Sequence, residues 1–194
     1  MTNNQGANPQ AETERDQPIL VAIDFSDDSR AALLWACEYA DCVGAQLILL
    51  HVIHDPASNP GFYQSESPGQ MLPMKDVAES MMNDFLADTT KKHPHLEALK
   101  TADTHLVKGL PPGRIVEVAD LLKAKLIVIG NRGMTGLDHM LLGSVAERVV
   151  ELAPGPVVVV KSENRPKKKK NKKKWKKDRK RLKAKLLSGV DANG

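Results

Sequence analysis

The stretch Ile127–Val150, IVIGNRGMTGLDHMLLGSVAERVV, decides how this chain is read. An unalternating apolar run ends at Gly130, further glycines follow at 133, 136 and 143, and a helical pattern opens near Ser144. Unbroken Val/Ile runs are what a strand buried on both faces requires, so the stretch reads as strand, glycine loop and helix.

The same unit recurs on either side. ILVAID (19–24) precedes a helical pattern over 27–44, with Ser26 or Asp27 as N-cap and Gly44 as the stop. QLILLHVI (46–53) precedes a second helix over 74–93, whose stripe of apolar residues makes its methionines core filler. HLVKG (105–109) is a weaker third strand before a helix at 111–124. KLIVIG (125–130), a helix at 144–152 and PVVVVK (156–161) complete five strands and four helices. Apolar strands alternating with helices predict an α/β fold, a parallel doubly wound sheet with right-handed crossovers.

In such a sheet, ligands bind beyond the carboxyl ends of the strands where the strand order reverses. Those ends are Asp24 after the first strand and Gly130 after the fourth. The glycine loop is not a P-loop, since no GK(S/T) closes it, and it is not a GxGxxG dinucleotide fingerprint. On its own spacing it has two readings. Gly130, Gly133 and Gly143 would let backbone amides approach a phosphate chain at a helix N-terminus. Alternatively, Ser144-Val-Ala-Glu147 is a capping box and the glycines only turn the chain.

Gly130-Asn131-Arg132-Gly133, nine residues and then Gly143-Ser144 resembles the G-2x-G-9x-G-(S/T) signature of the universal stress protein family. The likeness runs over about residues 18–161, through ILVAIDFSDDSRAAL, HLVKGLPPGRIVEVA and LLGSVAERVVELAPGPVVVV. The resemblance implies a flavodoxin-like strand order 3-2-1-4-5 and a homodimer paired through the last strand. Where the signature is complete, as here, it implies bound ATP, with or without Mg. Carried over by position, Gly130, Arg132, Gly133, Gly143, Ser144 and Val145 would surround phosphates and ribose, Asp24 would sit at the base of the adenosine pocket, and Val52 would line the adenine. Asn131 stands where family members often have a small hydroxyl residue. From the residues alone, Asp24 could equally be a strand-end residue that turns into a helix cap.

His51, His54 and His139 show no Ser/His/Asp or metal spacing and receive no chemical role. Cys37 and Cys42, five apart in one helix, read as small core residues rather than a disulfide. Phosphate donors are present without the metal clamp and nucleophile-orienting residue that an efficient ATPase or kinase needs. The expectation is therefore a nucleotide-sensing, stress-response regulatory module that hydrolyses ATP slowly at most. The alternative is a tethering or interaction protein with a vestigial nucleotide site.

Charge divides the chain. Residues 1–164 hold 13 Lys+Arg against 22 Asp+Glu, and residues 165–194 hold 15 against 2. The domain plan is a disordered leader (1–17), one domain (18–162) and a polybasic tail (163–194). In the tail Lys167, Lys168, Lys169, Lys170, Lys172, Lys173, Lys174, Lys176, Lys177, Arg179, Lys180 and Arg181 surround Trp175. Such a run meets polyanions: nucleic acid, with Trp175 stacking on a base, or less favourably an anionic membrane surface contacted by Trp175, Leu182 and Leu186. A charge run with no dedicated partner is the third reading. The first residues lack a signal-peptide core and no segment reaches 18 continuous apolar residues, so a soluble cytoplasmic protein is expected. The 55–73 segment, rich in Pro, Gly and Ser, is long enough to suggest a functional or disordered loop.

Overall fold

The computed structural model describes residues 17–54, 73–134 and 141–162. The leader up to residue 16, the 55–72 loop, the middle of the glycine loop with Gly136 and His139, and the polybasic tail lie outside the described residues. The chain divides into two units, Met1–Ser162 and Glu163–Gly194, and all that follows concerns the first.

Five parallel strands form one sheet in the order β3-β2-β1-β4-β5: β1 Ile19–Ala22, β2 Leu47–Ile53, β3 Asp103–Lys108, β4 Leu126–Gly130 and β5 Val157–Val160. β1 lies at the centre, with Ala22 level with Leu50 of β2 and with Ile129 of β4. This is the flavodoxin-like order, and its reversal point falls between β1 and β4. The interior strands β1, β2 and β4 are buried along their whole length because both of their faces are covered, whereas the all-valine edge strand β5 is half-buried. β3, at an edge, starts two residues earlier than its apolar pattern suggests; its exposed first residues, Asp103 to His105, pair with β2 at Ile48 to Leu50.

Four helices of nine or more residues occupy the expected places: α1 Asp27–Val43, α2 Met74–Lys92, α4 Pro111–Leu121 and α5 Ser144–Leu152. Between α2 and β3 lies an additional one-turn helix, α3 Glu97–Lys100. Its cap comes from elsewhere in the chain: Asp41 of α1 accepts the Ala98 N–H at 2.7 Å, while Ala98 and Leu99 are buried. α1 is capped locally by Ser26, whose hydroxyl oxygen accepts the Ser29 N–H at 3.1 Å, and it ends at Gly44 in the left-handed region, φ 68°.

Side chains alternate across the sheet, so each face has its own core. Ile19, Val21, Leu49 and Val128 meet Leu33, Ala36 and Cys37 of α1 and Met82 and Phe85 of α2. Leu20, Ala22, Leu50, Val52, Ile127 and Ile129 meet Ile115 and Ala119 of α4 and Ala146 and Val149 of α5. Two expectations about the core need correction. Cys37 is buried but Cys42 is exposed, since five residues of helix rotate it away from the sheet. Of the methionines in α2, Met82 is core, whereas Met74 in the first turn is exposed.

Candidate functional site

The carboxyl ends of β1 and β4 face each other at the reversal point, and the N-terminus of α1 ties them together. After β1 the chain passes through Asp24 and Phe25, the latter with φ 67°, into the Ser26 cap. A phenylalanine in the left-handed region is strained backbone, held here by tertiary contacts. Its ring packs against His51 at 4.5 Å and against Phe85 at 5.7 Å between centroids. The turn brings Asp24 Oδ1 to the Ser26 hydroxyl at 2.6 Å and to its N–H at 3.1 Å.

Gly130 is a glycine because of α1. A Cβ there would lie 2.7 Å from the backbone of Asp28 and Ser29, which cannot move without displacing the helix start. The glycine therefore secures β4 against α1, and its service to a ligand is indirect. The following residue continues the sheet, with the Asn131 N–H donating to Val160 O at 2.7 Å. Arg132 then crosses the α1 N-terminus: its N–H donates to Asp28 Oδ2 at 3.0 Å, and its carbonyl lies 3.2 Å from the Ser26 hydroxyl. The other Asp28 oxygen accepts the Ser162 N–H at 3.1 Å, just past β5. One buried carboxylate thus holds the glycine loop and the exit of the last strand.

Gly133 lies over Asp24. A Cβ at this position would sit 2.6 Å from Asp24 Oδ2, so any side chain must push aside a carboxylate already pinned by Ser26. Gly143 closes the loop onto β4, its N–H donating to Asn131 O at 2.8 Å, and a Cβ there would meet the same oxygen at 2.9 Å.

This arrangement corrects the capping-box reading. The N-cap of α5 is Gly143, extended at φ −71° and ψ 148°, and among the described residues no side chain caps the helix. Ser144 is the first helical residue and is exposed, and Glu147 donates its N–H to Gly143 O at 2.8 Å as an ordinary first-turn amide. The contact with Asn131 O excludes a side chain at 143 and sets the helix start one residue before the local pattern's choice, with Gly143 in place of Ser144 as N-cap. The first amides of a helix have no partner within it, so Ser144 and Val145 present donors and the positive end of the α5 dipole next to Asn131, on which Gly143 packs.

Beyond Ala22, Asp24 falls level with Val52 of β2 and Asn131 after β4, in the register that joins Ala22 to Leu50 and Ile129. Strand alternation turns this row toward α4 and α5. Val52 is 5% exposed within that core. The structure thus brings Asp24, Asn131, Gly133, Gly143, Ser144 and Val145 to one end of β1 and β4, with Val52 adjoining. Gly130 and the Arg132 backbone lie on the α1 side.

His51 points to the opposite face. It is buried, its Nδ1 lies 2.7 Å from Ile23 O, and the carbonyl can only accept, so Nδ1 carries the proton. Burial lowers its pKa below the usual histidine value, against the raising influence of the Ile23 hydrogen bond and of Asp24, while His54 nearby lowers it further. His54 Nδ1 lies 3.3 Å from Val52 O. Both histidines brace the strand ends that carry the site.

Asp28 is the residue that sequence reasoning missed. Asp27 and Asp28 both look like surface acids that favour a helix N-terminus. Only the burial of the second and its two distant N–H partners reveal its role.

Comparison with known proteins supplies the remaining observations. A model of the universal stress protein family matches residues 17–161. The universal stress protein YxiE of Bacillus subtilis is 32% identical over 148 residues, covering 74% of this chain and 97% of that protein. A universal stress protein of Mycobacterium tuberculosis is 31% identical over 145 residues, 74% of this chain. The chain spans less than half the length of several such curated relatives, 45% in that case. Among solved structures, a universal stress protein of Archaeoglobus fulgidus in complex with dAMP superposes with a TM-score of 0.52 at 26% identity, covering 74% of this chain and 97% of that one.

Proposed function

This chain belongs to the universal stress protein family, and on that premise we propose that it binds an adenine nucleotide, ATP by its complete glycine signature, as a nucleotide-sensing regulatory module. One observation carries the reading: α5 begins without a side-chain cap among the described residues, at a glycine pressed against the Asn131 carbonyl, in the same loop whose Gly133 lies over Asp24. Uncapped amides at the positive end of a helix suit a phosphate. The relative solved with dAMP supports an adenine nucleotide as the guest.

In this reading the amides of Gly133, Ser144 and Val145 receive phosphate oxygens, and Gly143 leaves room for them. Asp24, whose Oδ2 faces Gly133, accepts from the ribose hydroxyls, and Val52 lies against the adenine. Mg would accompany the nucleotide on its phosphates. Among the described residues no group of three or more His, Cys, Asp or Glu is placed to hold a metal by itself. Bound phosphate would order the glycine loop through its anchor on Asp28, and the changed surface is the signal; hydrolysis is at most slow.

The edge strand β5 supports a homodimer. Pro156 and Val160 direct their carbonyls at β4, so the intervening Val157 and Val159 direct theirs outward, along an all-valine strand that is only half-buried. An unpaired apolar edge of this kind invites a second copy. Trp35 and Tyr39, stacked at 5.3 Å and partly exposed, lie on the α1 stripe that continues from Asp28 beside the β5 exit. The polybasic tail would add association with a polyanion, nucleic acid before membrane, because dense lysine gains from counterion release on any phosphate backbone. No helix among the described residues is long and apolar enough to cross a membrane.

Thermal unfolding with and without nucleotide tests the proposal. ATP raises the unfolding midpoint of the wild-type chain, and Gly133→Val removes the rise by driving a side chain into Asp24. An equal midpoint at saturating ATP would favour the tethering reading with a vestigial site.

A further inference from the structure

Asn131 is 2% exposed, and its side-chain Nδ2 has no hydrogen-bond partner among the described residues. A buried carboxamide nitrogen can only donate, and leaving it unmet costs free energy, so such atoms are rare without a reason. Its position supplies one. The backbone of Asn131 is fully engaged, the N–H with Val160 O and the carbonyl with Gly143 N–H, which leaves the side chain as the free element at this point. The ladder bond to Val160 preserves strand alternation, and Gly130 faces α1, so Asn131 turns to the α5 side. There it stands in one row with Asp24 and Val52, beneath the uncapped start of α5.

Resting on the nucleotide reading, we infer that the Asn131 carboxamide is a specificity-determining donor that hydrogen-bonds a phosphoryl oxygen of the bound nucleotide. Asp24 is not its partner in this structure: Asp24 Oδ1 accepts from Ser26, and Asn131 Nδ2 reaches no acceptor among the described residues. The α5 amides supply backbone donors to any anion, whereas Asn131 adds one side-chain donor from below the loop. It thereby distinguishes a nucleotide with phosphate from the bare nucleoside.

The test titrates the full chain with ATP, AMP and adenosine. In the wild type, the Asn131 side-chain amide resonances, assigned by their loss in Asn131→Ser, shift on saturation with ATP or AMP and stay in place with adenosine. Asn131→Leu, nearly isosteric but without a donor, weakens ATP roughly tenfold. It leaves adenosine affinity unchanged, and the ligand-free chain unfolds at the same or a higher temperature, since the unmet donor has gone. Unmoved wild-type resonances at saturating ATP, or unaltered ATP affinity in Asn131→Leu, would overturn the inference while leaving the nucleotide reading intact. Equal losses for ATP and adenosine would overturn the phosphate assignment. If Asn131→Leu does not fold, the wild-type resonances decide alone. Absence of ATP binding by the wild type overturns both readings.

Discussion

Replacing Asp28 with alanine removes the carboxylate that accepts the Arg132 N–H at 3.0 Å and the Ser162 N–H at 3.1 Å. Hydrogen bonds to a charged acceptor contribute about 1.5–3 kcal/mol each, and a favourable charge at a helix N-terminus adds about 0.3–1 kcal/mol. Asp27 remains to supply part of the second term. The expected loss is therefore about 3–6 kcal/mol, with the larger share from the two amides left without an acceptor. That is a large part of the roughly 5–15 kcal/mol that holds a domain together. Asp28→Asn keeps one acceptor oxygen but turns an NH2 toward the other amide, so it should lose about half as much. Urea unfolding measures both variants, and hydrogen exchange locates the loss: the amides of Arg132 and Ser162 should exchange fast in Asp28→Ala, with β1 and β2 still protected. A loss below about 1 kcal/mol, or unchanged protection at both amides, would refute the reasoning that one carboxylate holds the loop and the β5 exit.

Three further outcomes follow from the same structure. His51 has a folded pKa below its unfolded value near 6.5, so the neutral form is favoured in the fold: stability should be level above that pH and decline as pH falls below it. His51→Gln should flatten that decline in a pH series of unfolding midpoints. A thiol reagent should label Cys42 alone in the native chain and Cys37 only after unfolding, since burial, with Asp41 and Glu38 nearby, pushes the Cys37 thiol up to about 12. Val159→Pro deletes an outward-facing N–H without touching the β4 ladder, so sedimentation should show the proposed β5-paired dimer dissociating roughly tenfold more readily or worse while circular dichroism is unchanged.

How far the sequence carried can be judged element by element. β1, β2 and β4 were legible because burial on both faces demands apolar runs, and β5 because its four valines form an equally unbroken run, although this edge strand is only half-buried. β3 was blurred because an edge strand may begin on Asp103, Thr104 and His105, which no apolar pattern marks. α3 was invisible, since its cap is an aspartate 57 positions away in the chain. At the site, spacing located the loop but misassigned its cap. Ser144 and Glu147 make a sound local capping box, yet the packing of Gly143 on Asn131 O sets the helix start. Gly130 and Gly133 look alike in the motif, but one accommodates α1 and the other accommodates Asp24. Asp28 and Asn131 became distinctive only through burial, which a run of letters such as DDSR or GNRG does not encode.

In the proposed reading the uncapped start of α5, the glycine loop and Asp24 together make an adenine-nucleotide site. Isothermal titration of the full chain with ATP tests it most directly. Saturable binding of one ATP per chain is expected, lost in Gly133→Val while the fold is retained. Absence of saturable binding up to about 1 mM ATP, or undiminished binding by Gly133→Val, would contradict it.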